Sequence, residues 1–187
     1  MSETTNAPVK IVLARYTDAQ VARDAIGKVG AAVKNNSVTL KNMAVLMKGP
    51  RGGVNIMDAS DVTGGQGLVT GGIAAAVVGI FTGGILTAAA LGALLGGLYA
   101  KLRDTGFKDS DLKEMVAELS PGDVVLVAAV PEDMVDDAQQ VLTASGATAT
   151  FVTDSIDAAV AADLDAEFDT KKGAVDLTTP ISTEPAD

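Results

Sequence analysis

Gly67-Leu-Val-Thr-Gly-Gly-Ile-Ala-Ala-Ala-Val-Val-Gly-Ile-Phe-Thr-Gly83 runs straight into Gly84-Ile-Leu-Thr-Ala-Ala-Ala-Leu-Gly-Ala-Leu-Leu-Gly-Gly-Leu-Tyr-Ala100. Between Asp61 and Lys101 lie thirty-nine residues without a charge, about half of them glycine or alanine. Two ladders of small residues step through the stretch at intervals of four. The first is Gly67, Gly71, Ala75, Gly79 and Gly83; the second is Gly84, Ala88, Gly92, Gly96 and Ala100. A four-residue step keeps side chains on one face of a helix, so each ladder predicts a groove that admits another backbone. Small-xxx-small patterning of this kind marks helix association in lipid or in a dry bundle.

Nine glycines lie between Gly67 and Gly97. Each costs roughly 0.8–1 kcal/mol relative to alanine in a helix interior, and the sum approaches the ~5–15 kcal/mol net stability of a domain. Close helix contacts must offset that penalty. Thirteen Leu, Ile, Val and Phe residues from Leu68 to Leu98 cover the rest of the surface, and a helix apolar all round is buried in protein or membrane. The small-residue face slips by one position at Gly83-Gly84, which predicts a turn at Thr82-Gly83-Gly84. Two helices of about fifteen residues span ~22 Å each at 1.5 Å per residue, short of the ~20 residues a bilayer requires. The expectation is a helical hairpin buried in a homo-oligomer; the alternatives are a re-entrant or interfacial hairpin touching membrane lipid, a true span, or a compact hairpin packed inside one monomer.

Outward from the hairpin, Val9–Tyr16 reads as a strand, and Thr17 or Asp18 caps a helix with the stripe Val21, Ala25, Ile26, Val29 and Val33. Asn35-Asn36 ends it. Val38–Met47 reads as extended, and Gly49-Pro50-Arg51-Gly52-Gly53 turns the chain into a short strand, Val54–Met57. Beyond the apolar stretch come a helix over Ser110–Leu119 and a stop at Ser120-Pro121-Gly122. Val124–Val130 is apolar throughout, as in a strand buried on both faces. A helix over Met134–Ser145 and a strand over Thr148–Val152 complete a second strand–helix–strand unit. The fold class read from this pattern is α+β: a ferredoxin-like sandwich of two βαβ halves, with helices on one face of an antiparallel sheet. An apolar Gly/Ala-rich helical hairpin interrupts it, and an acidic C-terminal helix and tail follow. The boundaries are 1–8 disordered, 9–62 first half, 63–103 glycine-zipper insertion, 104–153 second half, 154–168 amphipathic helix and 169–187 disordered tail. In that helix Ile156, Val160, Leu164 and Phe168 recur every four residues and call for a partner, in the same chain or another.

Composition narrows the chemistry. The 187 residues contain no cysteine, histidine or tryptophan, which removes disulfides, the usual zinc sites and histidine acid–base chemistry. The net charge is −10, repelling nucleic acid rather than recruiting it. Residues 131–187 alone hold two Lys/Arg against thirteen Asp/Glu. The polar, acidic start Met-Ser-Glu-Thr-Thr-Asn is unlike a signal peptide, so the expected location is cytoplasmic, with the inner face of the cell membrane as a peripheral station. Gly64-Gly-Gln-Gly67 lacks the Gly-Lys-Ser/Thr of a P-loop and reads as a helix entry. Lys48-Gly-Pro-Arg51-Gly-Gly reads as a hairpin turn, and Glu132, Asp133, Asp136 and Asp137 as a helix start complementing its dipole rather than a cation site. No catalytic residue, metal or cofactor is expected.

The opening Val9-Lys-Ile-Val-Leu-Ala-Arg-Tyr16 with its Thr-Asp-Ala helix start, the apolar zipper, and its exit Leu98-Tyr-Ala-Lys-Leu-Arg-Asp-Thr-Gly-Phe107 resemble a bacterial family called domain of unknown function 1269. The likeness continues from Lys108 through Ser120-Pro121-Gly122 into the valine-rich strand, covering roughly residues 9–153. The segment after Asp154 looks like an addition to the family pattern. The resemblance implies a ferredoxin-like fold with an apolar helical insertion, in proteins associated with membranes or stress. It implies no catalytic residues. The functional expectation is a non-enzymatic structural or scaffold protein that self-associates through its zipper, with a protein partner or neighbouring subunit on the C-terminal helix. The rival is a small-molecule-binding or regulatory module.

Overall fold

The computed structural model of the chain describes residues 7–57, 69–82, 89–173 and 181–182. Strand β1 (Val9–Tyr16) forms where the sequence reading put it. Its residues alternate between two cores: Val9, Ile11 and Leu13 on one side, Val12, Ala14 and Tyr16 on the other. A strand that is apolar on both faces needs cover on both, and this one has it. After β1, Asp18 accepts hydrogen bonds from the backbone N–H of Gln20 (2.7 Å) and Val21 (3.0 Å). It thereby starts α1 (Ala19–Lys34). Asn36, at φ 56°, breaks the helix off.

The chain then enters β2 (Asn42–Lys48), turns, and returns as β3 (Val54–Met57). A two-residue strand β4 (Val69–Thr70) leads to α2 (Gly72–Phe81), followed by α3 (Ala89–Asp104) and α4 (Ser110–Glu118). Strand β5 (Val124–Pro131) is buried along its whole length. A turn of 3-10 helix at Glu132–Met134 enters α5 (Val135–Ala144), then β6 (Ala149–Val152), α6 (Ala158–Lys172) and β7 (Ile181–Ser182). One sheet takes in all seven strands, in the order β6-β1-β5-β2-β3-β7, with β4 pairing β2. Every pairing is antiparallel. The apolar run of β5 is legible as cause: it sits between β1 and β2, with helices on both sides.

Helices cover both faces of the sheet, which corrects the expectation of one. Helices α1 and α5 bury Ala22, Ala25, Ile26, Val29, Ala138 and Leu142 against one face. The opposite face carries α2, α3, α4 and α6, with Ile73 to Phe81, Leu95, Leu98, Leu102, Leu112, Leu164 and Phe168 among its buried residues. The one-face expectation left the second side of β1 and β5 without a lid. The apolar insertion is that lid, and the chain folds it onto its own sheet.

Several boundaries differ from the sequence reading for identifiable reasons. The ladder spacing predicts a helix from the start of the apolar stretch, yet Val69 and Thr70 pair with β2, and the Thr70 hydroxyl accepts from the Met43 N–H at 2.8 Å. Strand β2 begins at Asn42 rather than Val38, whose side chain instead packs under α1. Val21 is exposed, and Ala22 takes its place on the buried stripe of α1. The C-terminal helix begins at Ala158, capped by Asp157, and runs to Lys172 rather than Phe168. Ile156 is therefore not on that helix; its backbone bridges Val9, with N–H···O distances of 2.7 and 2.8 Å. Ile181 and Ser182, inside the stretch read as disordered, pair with Ile56 and Asn55.

Candidate functional site

All ten residues of α2 are buried. The helix begins with Gly71-Gly72 and has no side-chain cap of its own, so its first N–H groups must find partners elsewhere. Two other elements supply them. The Asn42 side-chain oxygen, at the head of β2, accepts from Ile73 N–H (2.9 Å) and Ala74 N–H (3.4 Å). The Asp165 carboxylate, on α6, accepts from Gly72 N–H at 2.7 Å. At the other end the Thr82 hydroxyl donates back to the Val78 carbonyl (2.9 Å). The sequence reading missed Asn42 and Asp165. Part of the signal is local: with Gly71 at the N-cap and the Thr70 hydroxyl turned to the Met43 N–H, the apolar helix has orphan donors.

The described members of the first ladder are consumed within the chain. A Cβ on Gly71 would fall 2.2 Å from the Asn42 amide nitrogen, and Gly71 itself holds φ 102°. On Gly72 it would fall 2.0 Å from the Leu164 carbonyl oxygen of α6, and on Gly79 2.6 Å from the Leu95 carbonyl oxygen of α3. Ala75 is fully buried. These glycines allow α6 and α3 to lie against the α2 backbone. Gly67 and Gly83 lie outside the described residues, as does the Gly64-Gly-Gln-Gly67 loop.

The second ladder faces the other way. Helix α3 turns Leu94, Leu95, Leu98 and Leu102 inward, while Ala93 and Ala100 are exposed and Gly96 and Gly97 half-buried. Nothing lies within 4 Å of a Cβ built on Gly96 or Gly97. Ala93, Gly96, Gly97 and Ala100 thus form an outward stripe left bare by the described residues. Gly92 lies in the same helix; Gly84 and Ala88 fall outside the described residues.

Charged groups flank the stripe and fasten α3 to its neighbours. Lys101 reaches both Asp163 and Glu167 of α6, each at 2.8 Å, and Glu167 also takes Lys171 at 2.6 Å. The hydrogen bonds from Asp163 and then Glu167 raise the Lys101 pKa. Those from Lys101 and then Lys171 lower that of Glu167. On the α4 side Asp109 accepts from Tyr99 and pairs with Lys113 at 2.7 Å, and the hydrogen bonds from Lys113 and then Tyr99 lower the Asp109 pKa. Leu164 and Phe168 of α6 are buried among residues of this same chain, Val160 is partly buried, and Ile156 is buried at its bridge. The helix read as partner-seeking spends its apolar face at home.

Of the other sites weighed in the sequence, Glu132 pairs with Lys10 (3.2 Å) and accepts from Ser155 (2.9 Å). Among the described residues no group of three His, Cys, Asp or Glu is placed to hold a metal ion. No helix among them is long and apolar enough to cross a membrane. A cleft of about 210 Å³ opens between the α3–α4 loop (Thr105, Phe107, Lys108) and the entry to α6 (Asp154, Asp157, Val160).

The family model described as Protein of unknown function (DUF1269) matches residues 68–169, slightly more than half of the chain. The match takes in α6, which the sequence reading set apart as an addition, and leaves β1 to β3 outside. In this chain α6 supplies Asp165 to the α2 N-terminus and covers Gly72. No curated protein and no solved structure matches the chain.

Proposed function

This chain belongs to the DUF1269 family of proteins of unknown function, and on that premise we propose a non-enzymatic structural protein that self-associates through the outward face of α3. The strand order β6-β1-β5-β2, with α1 and α5 as its crossovers, supports reading the sheet as a ferredoxin-like core. Helices α2 and α3 are then its glycine-zipper hairpin. One observation carries the proposal: the two ladders have opposite fates. The first, where it is described, is closed within the chain: Gly71 by Asn42 of β2 and Gly79 by α3, with Gly72 beside it closed by α6. The second leaves Ala93, Gly96, Gly97 and Ala100 bare, with open space above the glycines. Each glycine in a helix costs roughly 0.8–1 kcal/mol relative to alanine, and among the described residues nothing packs on Gly96 or Gly97 to offset that cost. Packing against a second copy of the same stripe does, by the close backbone approach that already joins α2 to α3.

The self-associated protein is a scaffold that presents sheets and acidic surfaces around paired α3 helices, in the cytoplasm or at the inner face of the membrane. The small-molecule reading is weaker on magnitude. Ligand sites run to about 300–1,000 Å³, and the cleft at Phe107 and Asp157 is about 210 Å³ and open. Sedimentation velocity without detergent tests the proposal. Gly96→Leu or Ala100→Leu lowers the assembly mass while leaving the thermal unfolding of the chain intact. A mass unchanged by both substitutions, or a monomer in the unsubstituted protein, overturns it.

A further inference from the structure

The two ends of the sheet are finished differently. At one end β3 is covered by β7, and β4 continues alongside β2. At the other, β6 is the last strand, and nothing pairs with its outer edge among the described residues. Natural edge strands are blunted by lysine, proline, bulges or inward charges. Ala149-Thr-Phe-Val152 has no lysine, no proline and no charge. No charged residue occurs from Ala138 to Thr153, although residues 131–187 are the most acidic part of a chain of net charge −10. The edge is a neutral window in the most acidic part of the chain.

Its register is also self-complementary. Thr153 N–H donates to the Ile11 carbonyl at 3.0 Å, and Leu13 pairs Phe151. Antiparallel pairs alternate between hydrogen-bonded and open positions, so Ala149 and Phe151 turn their backbone groups toward β1. Thr150 and Val152 turn theirs to the free edge. Phe151 is half-buried on the α2–α6 side of the sheet, and Val152 half-buried on the α1–α5 side.

We propose that β6 is a second, independent self-association surface, on which two copies pair antiparallel about a two-fold axis at Phe151. Thr150 of one copy then exchanges two backbone hydrogen bonds with Val152 of the other, and the reciprocal pair adds two more. The two Phe151 rings meet across an open pair, where opposed side chains lie closest, and each loses its remaining contact with water. The two sheets become one. The occupant is a second copy because the strand's outward groups and its neutrality match themselves, and a −10 partner is tolerated only where no charge lies opposite.

This surface does not rest on the α3 stripe, and the experiment separates them. In Gly96→Leu protein, which lacks the α3 contact, sedimentation gives twice the 18.8 kDa chain mass if β6 pairs. Adding Thr150→Pro, which removes an outward N–H and leaves the β1 ladder whole, brings it to one chain mass. Thr150→Lys is the second variant, should proline disturb the strand. In the same sample, hydrogen exchange at the Thr150 and Val152 amides slows with concentration and speeds up on dilution, while the Phe151 amide is slow throughout. A Gly96→Leu protein that is monomeric at every concentration, or Thr150 and Val152 amides indifferent to concentration, overturns the β6 proposal. Loss of mass with Thr150→Lys but not with Gly96→Leu overturns the α3 reading instead.

Discussion

Replacing Gly79 by alanine puts a methyl group where the structure has none to spare. The new Cβ lies 2.6 Å from the Leu95 carbonyl oxygen and 3.1 Å from both the Leu95 carbonyl carbon and Tyr99 Cβ. The nearest atoms are backbone, so relief requires α2 and α3 to separate, and overpacking of that kind costs typically ~1–3 kcal/mol. Against it stands the gain of ~0.8–1 kcal/mol from removing a helical glycine. The net loss for Gly79→Ala is about 0–2 kcal/mol. The same substitution at Gly27, exposed in α1 with nothing within 4 Å of its Cβ, keeps only the gain. The two variants thus bracket the unsubstituted protein, with Tm moving by ~2–4 °C per kcal/mol at this chain length. Urea unfolding measures it: the midpoint falls for Gly79→Ala and rises for Gly27→Ala, with slopes unchanged. If Gly79→Ala is as stable as Gly27→Ala, the close α2–α3 approach does not exist and the assignment of the first ladder to internal packing is wrong.

Asn42→Ala leaves the buried Ile73 and Ala74 N–H groups without an acceptor and costs about 1–3 kcal/mol by chemical denaturation; Asn42→Asp, which keeps an acceptor oxygen at a helix N-terminus, recovers part of it. Asp123→Ala strips the ion pair from Arg15 and the acceptor from Ser120 N–H, a loss of about 1.5–3 kcal/mol for hydrogen bonds to a charged group, read in the same assay. The α3–α6 tether has a pH window. Glu167 is lowered in the folded state, so its contribution is full above the ordinary glutamate pKa and fades as pH falls through the lowered value; Lys101 is raised, so its contribution is full below the ordinary lysine pKa and fades as pH rises through the raised one. Lys101→Met therefore flattens both limbs of Tm against pH, and limbs as steep as in the parent sink the tether.

Strands β1, β3 and β5 were legible because their apolar residues form continuous or β-branched runs bounded by turn residues. Helix α1 was legible because Asp18 caps locally, within three residues of its targets. What escaped the sequence was long-range. The caps of α2 come from Asn42 and Asp165, whose distance along the chain hides the pairing. The second helical layer escaped because an all-round apolar helix says that it is buried without saying by what. Ile156 shares a four-residue step with Val160, Leu164 and Phe168, yet periodicity could not see that its backbone closes a bridge to Val9. The outward turn of the second ladder was hidden for a similar reason. Ladder spacing defines a face, and only the leucines opposite it, packed on α2, decide which way the face points.

The central claim is that this chain buries α2 by itself, against its own sheet and its own α3 and α6. Hydrogen exchange at residues 73–81 in detergent-free protein, followed across a dilution series that passes below the assembly concentration, tests this most directly. The account predicts that these amides stay as protected as those of β5 at every dilution. Protection of α2 that collapses when the chain becomes monomeric, or appears only with detergent, would contradict it.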